Sequence, residues 1–112
     1  MTSHDTRAFL EDIVVSARLA MQYAGTLSVD ELLRDTEKQD AIVHRIEIIG
    51  EAAGHVPDEV RSRVAVPWSR IVGMRNELAH QYWGIDFQLV WSVVHNELPA
   101  LIAAIEPHIK RL

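Results

Sequence analysis

The 112-residue sequence predicts an all-α domain, built as an antiparallel bundle of four main helices. Three observations predict this fold class. Apolar residues recur every three or four positions along four segments, no segment alternates apolar and polar residues as a half-buried strand would, and the links between segments are short. The length suits one domain over residues 1–112, and a hydrophobic content of 48% can supply its core.

The first helix is predicted from about residue 5 to residue 24, where Gly25 is a natural stop. Ser28 and Glu31 then have the spacing of a capping box, in which each side chain accepts a hydrogen bond from the other residue's backbone N–H. This box opens a short helical turn through Leu33. The apolar stripe of the first helix consists of Phe9, Ile13, Ala17, Ala20 and Ala24.

The second long helix is predicted to end before Pro57, because a proline disfavours helical geometry in the residue that precedes it. The segment PDEVRSRV can form one further helical turn, and a third helix runs from Trp68 to the neighbourhood of Tyr82 and Gly84. The stripe of the second helix consists of Ile42, Ile46, Ile49, Ala53 and Val56.

Asp86 is the predicted N-cap of the last helix, which has the most regular apolar stripe in the chain. Pro99 removes one backbone donor, so we expect this helix to be kinked or split there. Several helices carry apolar residues on two sides, for example Val43 and Ile48 on the second helix. Such surplus apolar surface on a small chain suggests a homodimer.

Composition narrows the class of function. The formal net charge of −5 makes indiscriminate binding of nucleic acid unfavourable, so any contact with RNA would have to be local. The chain has no cysteine, which excludes disulfides and thiolate chemistry. Its first residues carry charges where a signal peptide needs an apolar stretch, and no apolar run approaches the roughly 20 residues of a membrane span. We therefore expect a cytoplasmic protein.

The segment RNELAHQYWG, residues 75–84, concentrates the chemistry of the chain. Its Arg75 offers a planar set of donors to phosphate oxygens, and His80 can take or give a proton near neutral pH. Asn76 can orient a hydroxyl or a phosphate, and Tyr82 or a neighbouring tryptophan can stack on a base. These groups suit phosphodiester chemistry without a metal ion. Because Arg75 and His80 lie about 140° apart around one helix, two copies of the chain would aim them at each other better than one.

Two other interpretations fit the same residues. His80 could cap the carbonyls at the end of its helix, while Arg75 pairs with Glu47 or Glu51 on the preceding helix. A metal site could use Glu77 with His80, but a di-iron bundle needs a second such pair and further carboxylates. The second helix also carries a polar stripe that is typical of a partly solvated helix face; it consists of His44, Glu47, Glu51 and His55. We therefore predict no metal and no cofactor.

Three segments carry a family resemblance: RIEIIGEAAG, then GMRNELAHQYWGID, then VWSVVHNELPALI. In these segments the chain resembles the HEPN superfamily, and more narrowly the HepT-like toxins that are paired with minimal nucleotidyltransferase (MNT) antitoxins. The resemblance extends from about Phe9 to Leu112. It implies an all-helical homodimer whose two motifs meet in a cleft and cleave RNA without a metal ion. Arg75 would bind phosphate, Asn76 would position the substrate, and His80 would be the general acid or base.

The resemblance also assigns Tyr82 a role, as the residue to which the cognate nucleotidyltransferase attaches AMP. Such a group would add bulk and negative charge at the mouth of the cleft and compete with RNA for Arg75. Glu47 and Glu51 would be supporting residues, with Glu51 acting on the cleft through an arginine. The alternative function is a HEPN bundle without nuclease activity that serves as the binding or substrate subunit of the nucleotidyltransferase.

Overall fold

The computed structural model describes residues 3–80 and 84–111, without the side chains of residues 3, 4, 77, 79 and 80. All regular secondary structure within these residues is helical, which confirms the predicted fold class. The helices are α1 (Ser3–Ala24), α2 (Val29–Leu33), α3 (Thr36–Gly54), α4 (Asp58–Arg61), α5 (Trp68–His80), α6 (Phe87–Ser92) and α7 (Leu98–Ile109), with a π-helical turn (Val93–Glu97) between α6 and α7.

Local signals in the sequence set the ends of α1 and α2. Gly25 has a φ of +51°, a left-handed conformation that closes α1, and its N–H donates to the Met21 carbonyl over 2.9 Å. The predicted capping box opens α2: the Glu31 N–H donates to Ser28 Oγ over 3.1 Å, and the Ser28 N–H donates to Glu31 Oε1 over 3.0 Å. The hydrogen bond that the Glu31 carboxylate accepts from the Ser28 backbone N–H, and after it the interaction with the Ser28 side chain, lower the pKa of the Glu31 carboxyl.

The predicted split of the last helix is confirmed, and it takes the form of a π-helical turn. Asp86 caps α6 as predicted, because its Oδ1 accepts from the N–H groups of Gln88 and Leu89. Pro99 follows the turn at the start of α7. Proline has no N–H to donate to the carbonyl four residues back, and in an α-helix its ring would clash with that carbonyl. The wider π-helical turn lies directly before Pro99, where a regular α-helix would be disrupted.

The helices pack in the order expected for a bundle with short connections. Helix α1 contacts α3 and α7, and α3 also contacts α5. Trp68 is buried and its indole N–H donates to backbone carbonyls of Arg61 and Val64, while Trp91 is half-buried. The most completely buried apolar residues, which form the centre of the core, are Leu10, Ile13, Ala17, Ala20, Ile42, Ala53 and Ile105. In the described part of the chain, no helix combines the length and the apolar character needed to cross a membrane.

Candidate active site on helices α3 and α5

Helix α5 carries Arg75, Asn76 and His80 on one continuous backbone. The helix is anchored at both ends, because Trp68 in its first turn and Leu78 in its last turn are buried in the core. Between these anchors Asn76 is exposed and the Arg75 side chain is 41% exposed. The side chain of His80 and the whole of Tyr82 lie outside the described residues, so their predicted roles stay predictions.

Arg75 forms an ion pair with Glu51 of α3, with Nη2 lying 2.9 Å from Oε2. This is one of the two glutamates that the sequence offered as a partner. Glu47 lies half-buried one turn earlier on α3, and it forms no ion pair within the described residues. The geometry therefore joins Glu51, and not Glu47, to the arginine of the motif.

The carboxylate of Glu51 is shared between Arg75 and a histidine. His55 Nε2 lies 3.3 Å from Glu51 Oε1, and the imidazole stacks on Phe9 of α1 with ring centroids 4.9 Å apart. The spacing of Glu51 and His55, one helical turn, was visible in the sequence as part of a polar stripe. The stacking of Phe9 on His55 could not be predicted from this spacing, because Phe9 is distant in the sequence and was assigned only to the apolar stripe of the first helix.

The guanidinium of Arg75 has one partner among the residues that the structure describes. Only Nη2 has a partner among the described residues, which leaves Nε and Nη1 with unused donors on an exposed surface. A guanidinium held on one side by a carboxylate keeps its orientation, and its remaining N–H groups can bind two oxygens of a phosphate. The arrangement can therefore bind an anion without first ordering the arginine.

The described part of the bundle also contains an apolar cavity. It has a volume of about 210 Å³ and is lined mainly by apolar residues of α3, α5 and α7, with Ile49, Ile71 and Met74 among them. Neither Arg75 nor Asn76 lines it. Asn76 is exposed and the Arg75 side chain is partly exposed, so these two groups are accessible on the surface of α5, which suits an extended polymer better than a small molecule enclosed in a pocket.

Metal-binding geometry is not formed by the side chains that the structure describes: no three of their histidine and carboxylate groups come together as ligands. His44 is exposed, and His55 is engaged with Glu51 and Phe9. Glu77 and His80, the pair considered from the sequence, have side chains outside that description.

A second arginine of α5 forms a different kind of contact. Arg70 Nε and Nη2 donate to the two carboxylate oxygens of Glu97, over 2.6 and 2.8 Å, and so connect α5 to the π-helical turn. The hydrogen bond from Arg70 holds the pKa of the Glu97 carboxyl below its usual value. Arg70 therefore joins two structural elements.

Comparison with known proteins places the chain in a family. The family model described as "Ribonuclease HepT-like" matches residues 13–107. The chain is 34% identical over 111 residues to the protein named "Putative RNase MJ0127" of Methanocaldococcus jannaschii, covering 98% of this chain and 92% of that protein. It is 32% identical over 94 residues to "Probable ribonuclease HepT" of Thermococcus cleftensis, covering 83% of this chain and 86% of that protein. No solved structure matches the chain.

The matched region contains every helix from α2 to α6, most of α1 and α7, and the whole RNELAHQ segment. The resemblance that the sequence motif suggested is thereby confirmed at the level of the family. The chain belongs to the HepT-like ribonucleases of the HEPN superfamily.

Proposed function

We propose that the protein is a metal-independent endoribonuclease that uses Arg75, Asn76 and His80. The observation that carries the proposal is the state of Arg75, which is partly exposed, oriented by Glu51 and left with donors that no described residue uses, five residues before His80 on the same helix. Membership of a ribonuclease family supports RNA as the substrate. The accessible surface at Arg75 and Asn76 suits a chain-like substrate.

The chemistry requires no group beyond these side chains and the RNA itself. A neutral imidazole of His80 accepts the proton of a ribose 2′-hydroxyl, and the oxygen attacks the adjacent phosphorus. The bond from phosphorus to the 5′-oxygen of the next nucleotide breaks, and that oxygen takes a proton. The products are a 2′,3′-cyclic phosphate and a 5′-hydroxyl. Arg75 stabilises the charge that develops on the non-bridging oxygens, and Asn76 orients the phosphate or the attacking hydroxyl.

A homodimer is part of the proposal. Positions 75 and 80 point about 140° apart on one straight helix, so a single subunit does not direct both side chains at one phosphate. When two α5 helices face each other across a two-fold axis, the guanidinium of one subunit and the imidazole of the other can approach the same phosphate. Two such sets would also bring the remaining N–H donors of two guanidiniums into one cleft. Contact with RNA would then be local, as the acidic net charge of the chain requires.

The first experiment is incubation of the purified protein with total RNA and with tRNA. We expect cleavage that leaves 2′,3′-cyclic phosphate ends, persists in excess EDTA, and falls by about 10²- to 10⁴-fold in His80→Ala. Gel electrophoresis of end-labelled RNA measures it, and His108→Ala, on α7, is the matched histidine control. Equal cleavage by wild type and His80→Ala would disprove the role of His80, and loss of cleavage in EDTA would disprove the metal-independent mechanism.

Mixing inactive variants tests whether the site is shared between subunits. Arg75→Ala and His80→Ala subunits are mixed, dissociated with mild denaturant and reassociated. If one site takes Arg75 from one subunit and His80 from the other, each mixed dimer regains one intact site, and cleavage returns to a substantial fraction of the wild-type rate. If both residues act within one subunit, the mixture stays inactive. Sedimentation of the untreated proteins shows whether they are dimers.

We also propose that the chain is the toxin of a toxin–antitoxin module, inactivated when a cognate MNT nucleotidyltransferase adds AMP to Tyr82. A phosphate ester there would bring negative charge to the segment that follows Arg75 and His80, and would compete with RNA for the guanidinium. After incubation with the partner and ATP, intact-mass spectrometry should show added AMP on the wild type and none on Tyr82→Phe. Tyr82→Phe should remain toxic when both proteins are expressed, and Tyr23→Phe on α1 is the control that stays modifiable. An unmodified wild-type chain would contradict the proposal.

A further inference from the structure

We propose that Gly50 is a positioning residue for Arg75: its missing side chain allows α3 and α5 to approach closely enough for Glu51 to hold the arginine. The functional part of this inference rests on the proposed function, in which Arg75 binds the phosphate. The structural part concerns the contact between the two helices and can be tested without RNA.

The contact is made between the backbone of Gly50 and the first carbons of the Arg75 side chain. Gly50 is buried within α3. A Cβ atom placed on it would overlap the Arg75 Cβ and would lie 3.0 Å from Cγ and 3.3 Å from Cδ. A real Cβ does not tolerate this overlap. Because the Cβ of Arg75 is fixed to the backbone of α5, no change of rotamer can relieve the clash, and one of the helices has to move.

The consequence for the site follows from the neighbouring residue. Glu51 comes directly after Gly50, and its Oε2 lies 2.9 Å from Arg75 Nη2. A shift of roughly 1 Å between the helices would lengthen this ion pair beyond hydrogen-bonding distance or force both side chains to rearrange. In a site that works by positioning, a displacement of that size can lower the rate by about 10²-fold.

Other glycines of the described helices serve as controls for the steric argument. Glycine weakens a helix relative to alanine, so a buried glycine inside α3 needs a compensating contact. Gly54, at the end of α3, and Gly73, on α5, have no heavy atom within 4 Å of a Cβ placed on them. Alanine at either position therefore adds a methyl group to a helix without meeting a neighbour, while alanine at position 50 meets Arg75.

The test that needs no RNA follows the guanidinium of Arg75 by NMR. Its Nε–H resonance is identified by its disappearance in Arg75→Ala, and Glu51→Gln gives the position it takes without the ion pair. We expect Gly50→Ala to move the resonance toward the Glu51→Gln position, and Gly54→Ala and Gly73→Ala to leave it at the wild-type position. An unmoved resonance in folded Gly50→Ala would overturn the proposal.

A second variant covers the case in which Gly50→Ala folds poorly. Arg75→Gly removes the Cβ that the new methyl group would strike, so the double variant Gly50→Ala, Arg75→Gly should recover most of the loss of Tm that Gly50→Ala causes, which we expect to be roughly 5–15 °C. Arg75→Gly alone gives the cost of the added glycine. If the double variant is no more stable than the sum of the two single changes predicts, residues 50 and 75 are not in the contact we describe.

Kinetics distinguish a failure of this inference from a failure of the proposed function. We expect Gly50→Ala to lower kcat/KM for RNA cleavage by about 10- to 100-fold, and to cause no further loss in an Arg75→Gly background, where the new methyl group meets no Cβ and the helices keep their positions. Gly54→Ala and Gly73→Ala should stay within about twofold of wild type. A further tenfold loss in the Arg75→Gly background would mean that Gly50 does not act through Arg75. If Arg75→Ala cleaves RNA as the wild type does, the proposed function fails, and the NMR and Tm results still decide whether Gly50 positions Arg75.

Discussion

Arg70 and Arg75 lie five residues apart on α5, and each forms an ion pair with a glutamate from another element. The Arg70 contact is bidentate, through Nε and Nη2, to a glutamate whose pKa it lowers. The Arg75 contact joins one nitrogen to a carboxylate that is also shared with His55. Both pairs are partly exposed, with arginine side-chain exposures of 51% and 41%, so solvent access alone does not distinguish them.

The difference lies in how the donors of each arginine are used. The bidentate pair uses the Nε/Nη2 edge of the Arg70 guanidinium, whose two parallel donors match the two oxygens of a carboxylate, so this residue fixes α5 to the turn that precedes α7. Arg75 is held at one nitrogen and keeps donors for a second anion. An arginine that only stabilises the fold is expected to use its donors within the protein, whereas one that binds a substrate has to keep some of them unused. The comparison therefore favours Arg75 as the functional residue.

The largest expected effect separates the two arginines by activity. Arg75→Ala should lower kcat/KM for RNA cleavage by about 10²- to 10³-fold, because it removes the donor that stabilises developing charge. Arg70→Ala should stay within about threefold of wild type while it lowers the free energy of unfolding by about 1 kcal/mol. Cleavage kinetics and urea unfolding of the same preparations measure both. If the two variants lose activity equally, the donors left unused by Arg75 do not mark a substrate site.

The elements of the fold were predictable where the signal was local. The capping box at Ser28, the stop at Gly25 and the N-cap at Asp86 each depend on residues within a few positions, and the structure contains all three. The split near Pro99 was predicted as well, since proline lacks the donor that an α-helix needs there. Its π-helical form was not, because the way the chain makes room for the ring depends on the packing of both flanking helices.

The site was predictable only in part, for the same physical reason. The sequence identified Arg75 and offered two glutamates as its partners, and only the packing of α3 on α5 selects Glu51. The spacing of Gly50 and Gly54, four residues apart on α3, is typical of close helix packing and does not distinguish the two glycines. The structure distinguishes the two glycines. A Cβ atom placed on Gly50 would overlap the Arg75 side chain, whereas one placed on Gly54 would have no heavy atom within 4 Å. Contacts between two helices depend on the distance between their axes and on how each helix is rotated about its own axis. The spacing of residues within one helix determines neither quantity.

The smallest expected effect concerns the pH dependence of the Arg70 pair. The pKa of Glu97 in the folded protein lies below its ordinary value of 4.5, so the pair contributes stability above that pH and loses it as pH falls through the folded-state pKa. Urea unfolding should therefore show Glu97→Gln less stable than wild type by about 0.5–1 kcal/mol near pH 6, with the difference shrinking as the pH falls below 4.5. Glu59→Gln, whose partner Arg63 lies 3.7 Å away on the surface, is the control and should show little difference at either pH.

RNA cleavage by Glu97→Gln at neutral pH should match wild type. A large loss of activity there would place Arg70 and Glu97 within the functional surface and remove the distinction between the two arginines.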